Sequence, residues 1–300
     1  MSREQRAKVD TMLRGPRPEG PLPVEEIRSD FAALMATMLV PDGIRTTQVT
    51  LGPRSALLVE PTAHPRAGTI LYFHGGSFVF GSPETAMSLT ANLVVGTGFR
   101  AYSLDYRLAP EHPFPAAIDD ALGAYRALLD AGEDPETIAF AGDSAGGGLT
   151  VTTCLAARAA GLPMPAAVVA FSPGLDGTRT GESMETRAAA DPLLTSAGLE
   201  HTGAMYLAGR DPRHELISPA VLADLTGFPP MLLQVGTNEV LLDDSTRLAA
   251  RARAAGVDVV LDVTADVPHV FQAFSGVLDE ADQALERAAL FLTQQVRSTR

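Results

Sequence analysis

Residues 137–148 read TIAFAGDSAGGG. A short apolar run, Ile138-Ala139-Phe140-Ala141, stops at a glycine, and small residues continue behind the serine that follows. The run has the length of a buried strand, and the small residues begin a helix, so Gly142-Asp143-Ser144-Ala145-Gly146 reads as a Gly-x-Ser-x-Gly strand-to-helix turn. Such a turn is too tight for large side chains, and flanking glycines permit both a strained backbone and close helix packing. Ser144 then sits at a helix amino end, where free amides and the positive end of the dipole favour an anion. The pentapeptide also occurs as an ordinary glycine-rich turn, so the rest of the chain decides its meaning.

Outward from this turn, short apolar runs alternate with alanine-rich helical stretches. Extended segments are predicted at 46–51, 56–60, 69–73, 100–104, 137–141, 166–171, 231–235 and 257–263. Apolar strands of this length separated by helices indicate a mainly parallel sheet covered on both faces. Pro229 and Pro230 mark the start of a strand rather than its middle. Ile27, Phe31, Leu34, Met35 and Met38 follow helical spacing, which predicts an amphipathic helix over 23–40. About sixty residues lie between Phe171 and Met231, more than one crossover needs, and they include a helical stretch at 197–207. This excess is expected to form part of a lid together with the first forty residues; a structural excursion away from the site is the alternative. There is no internal repeat and no low-complexity tract beyond the proline-rich 15–23.

Composition narrows the function classes. The chain has 300 residues, 46% hydrophobic and 20% charged, as in an ordinary folded, soluble protein. A net charge of −13 without a basic block would repel a phosphate backbone, so no nucleic-acid partner is expected. The lone cysteine, Cys154, excludes an intrachain disulfide or a multi-cysteine metal site and reads as a core residue. The opening MSREQRAKVD lacks an apolar core, and no run approaches the roughly 18 residues that cross a bilayer. A cytoplasmic protein with no membrane association is expected.

Nucleophilic chemistry at a serine requires a base for the hydroxyl proton, an acid to orient that base, and donors for an oxyanion. The Gly-x-Ser-x-Gly turn resembles that of the α/β-hydrolases, in which the chain order is serine, carboxylate, histidine, and only His201, His214 and His269 follow Ser144. His269 lies after the last predicted strand and before the final helix, where a loop can hang it over the turn; the other two fall in the insertion. His64 and His112 read as structural. The acid should follow the penultimate strand, where 235–244 (VGTNEVLLDD) carries Glu239, Asp243 and Asp244. Glu239 lies in the loop, whereas Asp243 and Asp244 begin the next helix and can cap its amides; Glu239 is therefore favoured over Asp243. His74-Gly75-Gly76-Ser77 follows the strand at 69–73 and resembles an HGGG-type oxyanion loop. Gly75 and Gly76, with the amide of Ala145, are the candidate donors. Asp143 reads as a hydrogen-bonding support for the turn.

Together with Asp105 to Ala117 (DYRLAPEHPFPAA), these motifs closely resemble the hormone-sensitive-lipase-like branch of bacterial carboxylesterases. The GDSAG turn, the HGGS loop, the YRLAPEHPFPAA run and the PHVF histidine site occur in the expected order and span most of the chain. The resemblance implies an α/β-hydrolase fold: a mostly parallel central sheet with helices on both faces and a helical cap. The corresponding division is N-terminal cap helices at 1–45, a catalytic core at 46–178 and 217–300, and a cap insertion at 179–216. It further implies a serine carboxylesterase for short- to medium-chain esters, with no cofactor and no metal. Where the family commonly has aspartate in a DxLxD pattern, this chain has Glu239 in EVLLD, and Ser77 replaces the fourth position of HGGG. In the proline-rich run, Asp105, Arg107 and Glu111 are expected to satisfy one another and the backbone of the run. A lactonase, amidase or small-molecule deacetylase would use the same site; a non-catalytic ligand-binding relative would lack His269. Acid loss of activity is expected near the ordinary histidine value of about 6.5. The strand at 257–263 lies at an edge and could pair two copies into a homodimer.

Overall fold

Strands that are apolar at every position need cover on both faces, and the four at the centre of this sheet are buried along their whole length. The computed structural model describes residues 2–15, 20 and 22–297. Two helices come first, α1 (Ser2–Leu13) and α2 (Val24–Met35), followed by strands β1 (Ile44–Leu51), β2 (Arg54–Pro61) and β3 (Thr69–Phe73). Alternation then begins with α3 (Met87–Thr97), β4 (Arg100–Leu104), α4 (Ala116–Asp130), β5 (Ile138–Asp143), α5 (Ala145–Ala159) and β6 (Ala167–Phe171). After β6 come α6 (Ser183–Thr186), α7 (Ser196–Leu207) and α8 (Pro219–Leu222). The chain closes with β7 (Met231–Gly236), α9 (Leu242–Ala254), β8 (Val259–Thr264) and α10 (Asp279–Gln295).

The sheet order is β1-β2-β4-β3-β5-β6-β7-β8. β1 and β2 pair antiparallel, as do β2 and β4, and every pairing from β4 to β8 is parallel. Side chains alternate between the two faces of each strand. Leu71, Phe73, Ile138 and Phe140 meet Tyr125 of α4, Leu149 of α5 and Leu248 of α9 on one face. Ile70, Tyr72, Ala139 and Phe171 meet Leu89 of α3 and Leu285 and Leu292 of α10 on the other. Each fully buried leucine or phenylalanine contributes roughly 1.5–3 kcal/mol. Cys154 is a free, buried member of the first cluster.

The first helical segment is shorter than the periodicity over 23–40 suggests. α2 ends at Met35, Ala36 forms its cap, and the Thr37 hydroxyl donates to the Leu34 carbonyl at 2.7 Å. Val40 precedes Pro41, which disfavours helical backbone there, so Met38 packs from a turn. Of the proline-rich 15–23, residues 16–19 and 21 lie outside the described residues, as does part of the expected cap at 1–45. The charged residues of the 105–117 run do not pair with one another. Asp105 accepts from the Ser55 hydroxyl, Arg107 forks onto Asp120, and Glu111 receives Arg28 of α2. The cause is geometric: the run crosses between layers, so each charge faces a different element. Among the described residues, no helix is long and apolar enough to cross a membrane.

Candidate active site

Four neighbouring parallel strands, β5, β6, β7 and β8, end side by side, and the residues just beyond their carboxyl ends converge, as ligand sites do in open α/β sheets. After β5 the chain turns through Ser144 at φ 52° and ψ −118°, a conformation rare for a side-chain-bearing residue, and enters α5 at Ala145. The turn is fixed from both sides: the Ser144 N–H donates to the Phe171 carbonyl, and its carbonyl accepts from Gly148 and Gly174. A Cβ on Gly146 would stand 2.0 Å from the Phe73 carbonyl oxygen and 2.4 Å from that of His74. Backbone contact with β3 therefore requires glycine at that position.

His269 arrives on the loop after β8 and Glu239 on the loop after β7. The Ser144 hydroxyl donates to His269 Nε2 at 2.9 Å, and His269 Nδ1–H donates to Glu239 Oε2 at 2.8 Å. The carboxylate only accepts, so it places the proton on Nδ1 and leaves Nε2 free to receive one. Glu239 is fully buried. Burial pushes its carboxyl up from the usual range, opposed by donation from His269, the Gly236 N–H and the Ser172 hydroxyl. Burial alone would lower His269; the bond and charge of Glu239, with the charges of Asp191 and Asp143, outweigh it and leave the imidazole raised.

The other candidates are placed elsewhere. Asp243 accepts from the Ser183 N–H and returns its own N–H to the Ser183 hydroxyl. Asp244 accepts from the amides of Leu175 and Asp176. Both carboxylates thus cap the segment after β6 rather than their own helix. His201 contacts the Leu22 carbonyl, and His214 Nδ1 accepts from the Leu216 N–H.

The loop after β3 carries both glycines. The buried Asp143 carboxylate beneath it accepts the Tyr72 hydroxyl at 2.9 Å, and a Cβ on Gly75 would overlap its Oδ2. Burial raises Asp143 to about 6. Gly76 has φ 120°, and a Cβ there would meet the Phe80 carbonyl oxygen at 2.0 Å. Among the described residues, no protein group accepts from the N–H of Gly76 or Ala145. His74 stacks on Tyr106 at 4.1 Å and donates from Nδ1 to the Gly75 carbonyl; burial lowers it to about 4, so it stays neutral.

Ser172 escaped the sequence reading. It follows β6 at φ 45°, its hydroxyl donates to Glu239 at 2.7 Å and accepts the Val270 N–H at 3.0 Å, and so ties the acid to the histidine loop. The only sequence signal is a serine ahead of Pro173-Gly174, which reads as a turn. Asp191, buried in the insertion, similarly accepts the Val240 N–H beside Glu239.

A cavity of about 110 Å³ opens at Ser144, walled by Phe78, Leu175, Leu199 and Tyr206. Leu199 and Tyr206 belong to α7, so the insertion after β6 faces the site. A larger hollow of about 340 Å³ lies at the opposite, amino ends of β3 and β4 and contains none of these groups.

Residues 70–273 match the family described as alpha/beta hydrolase fold. An acetyl-hydrolase of Streptomyces hygroscopicus is 46% identical over 244 residues, 81% of each chain. A crystal structure of EstE5 soaked with p-nitrophenyl butyrate superposes with a TM-score of 0.92 at 41% identity, covering 97% of this chain and 98% of that one. An esterase from the bacterial hormone-sensitive lipase family gives 0.92 at 40%, covering 98% and 99%. The chain belongs to the alpha/beta hydrolase fold family and, within it, to the hormone-sensitive-lipase-like esterases.

Proposed function

We propose that the chain is a serine carboxylesterase that cleaves short-chain esters through an acyl-enzyme on Ser144. The observation that carries this reading is the unbroken relay from Ser144 Oγ through His269 to Glu239, at 2.9 and 2.8 Å. Ser144 Oγ attacks the ester carbonyl while His269 Nε2 takes its proton, and Glu239 stabilises the imidazolium. The carbonyl electron pair moves to oxygen, which receives the N–H groups of Gly75, Gly76 and Ala145; one such donor is typically worth about 10² to 10³ in rate. The tetrahedral adduct collapses, the carbon–alkoxide bond breaks, and His269 returns the proton to the leaving alcohol. Water then repeats the sequence on the acyl-enzyme and frees the acid and Ser144.

The narrow cavity of about 110 Å³, walled by Phe78, Leu199 and Tyr206, supports short acyl groups. The acetyl-hydrolase relative and the p-nitrophenyl butyrate used with EstE5 support the same range. Residues 1–45 and 179–216 form the cap of this reading and 46–178 with 217–300 its core, supported by α7 over the cavity and by Phe31 of α2 edge-on to Phe80 at 4.8 Å. The edge strand β8 would pair two copies, and the single reduced cysteine supports a cytoplasmic location. A p-nitrophenyl acyl series tests the assignment. The account expects highest kcat/KM from acetate to butyrate, about a tenfold or greater fall by decanoate, and a loss on the order of 10⁴ to 10⁶ in Ser144→Ala. Unchanged turnover in that variant, or a hundredfold preference for matched lactones or amides, would overturn it.

A further inference from the structure

Arg179 is the one cationic side chain, among the described residues, in the wall of the cavity that contains Ser144. Its backbone is left-handed at φ 53°, unusual for a side-chain-bearing residue and typical of positions held by their surroundings for a task. The fold makes a seat for it. Nη2 donates to the Leu199 carbonyl on α7, and Gly203, one turn further along, leaves the space: a Cβ there would stand 2.5 Å from Nη2. The seat gives the guanidinium no carboxylate contact, although the more distant charges of Asp244, Glu200 and Asp176 favour it. Nη1 is buried without a hydrogen-bond partner, and no carboxylate oxygen among the described residues comes within 4.0 Å of the group.

The two carboxylates in the same wall have other commitments. Asp176 pairs with Arg247 at 3.2 Å and receives Thr178 and Thr180, while Asp244 holds the amides of Leu175 and Asp176. A guanidinium is always charged and carries five donors, and leaving it partly buried and unpaired is costly unless something binds there. The net charge of −13 opposes anions at long range, but that field is screened over about 10 Å at ordinary salt, whereas contacts inside the cavity are not.

We propose that Arg179 is a specificity-determining residue that receives a carboxylate carried by the substrate, so that esters bearing a short anionic arm are selected over neutral esters of the same length. This rests on the esterase reading above. The anion can belong to the acyl arm, as in a hemi-ester of a dicarboxylic acid, or to the alcohol arm, as in an ester of a hydroxy acid.

The test compares kcat/KM, by acid release, for monomethyl glutarate against methyl pentanoate and for O-acetylglycolate against propyl acetate. The full chain is used as wild type, Arg179→Met and Arg179→Lys. The account expects Arg179→Met to lower the charged-to-neutral ratio about ten- to a hundredfold in one pair, which identifies the arm, with Arg179→Lys intermediate. Loss of the tether to α7 alone would lower both members of a pair alike, and an unchanged ratio in both pairs would overturn the proposal. Should Arg179→Met not fold, inhibition of the wild type decides: glutarate is expected to compete with methyl pentanoate at least tenfold better than pentanoic acid amide does, and equal or weaker inhibition would overturn it. Failure of the wild type to hydrolyse any of the four esters would instead remove the esterase reading.

Discussion

His269 is held between an acceptor-only carboxylate and a hydroxyl, and these two neighbours set both its tautomer and its proton affinity. Burial disfavours the imidazolium, but the bond and charge of Glu239 and the charges of Asp191 and Asp143 favour it more, so the group titrates above its ordinary value. Because the neutral form is the base, the acid limb of kcat/KM is expected above about 6.5. Sequence alone suggested a limb near that value. Stability moves with the opposite sign: the contribution from charged His269 is fully present below about 6.5 and is lost as pH rises through the raised folded value. A pH profile on p-nitrophenyl acetate checks this, and a limb below 6 would contradict it. Glu239→Gln should move the limb down and reduce kcat by about 10³ to 10⁴, since an amide neither holds the charge nor enforces the tautomer. Ser144, Glu239 and His269 were legible because the residue types, their order and their positions after strands converge. Ser172 was hidden, since a serine at a strand end looks like any turn.

The elbow couples two elements through backbone alone: α5 begins where β5 ends, and Gly146 lies against the carbonyls that close β3. A methyl group at 146 cannot be relieved by moving a side chain, because both atoms it meets are main-chain oxygens. Gly146→Ala is expected to destabilise the chain by about 1–3 kcal/mol or more and to remove most ester turnover. Urea unfolding followed by circular dichroism gives the first, and an unchanged midpoint would contradict the account. At this scale the sequence located every strand of the sheet to within a few residues, since continuous apolar runs between helical stretches have few other solutions. It overran α2, where the apolar spacing continues through Met38 although the helix ends at Met35. It also misjudged Asp105, Arg107 and Glu111, which are neighbours in the chain but face β2, α4 and α2 in space.

For the whole molecule, the sheet has two open edges, and β8 is the one with exposed valines, Val260 at 50% and Val263 at 43%. Unpaired edge groups beside apolar side chains favour strand addition between copies. Size-exclusion chromatography with light scattering is expected to give twice the chain mass, and Val260→Lys to give the single mass; a wild-type monomer at micromolar concentration would remove the dimer. The arrangement of layers followed from periodicity, but neither the mate of an edge strand nor the placement of α7 against the cavity is written in a local pattern. Four strand ends bring Ser144, Ser172, Glu239 and His269 together, the arrangement expected of one acyl-transfer site. Its most direct test is intact-mass and peptide-map analysis after treatment with a serine-directed phosphonate. The account predicts a single adduct on Ser144, absent in Ser144→Ala and formed far more slowly in His269→Ala, with activity lost in step with labelling. An unlabelled Ser144 in a fully inhibited protein, or an adduct on another residue that tracks the loss of activity, would contradict it.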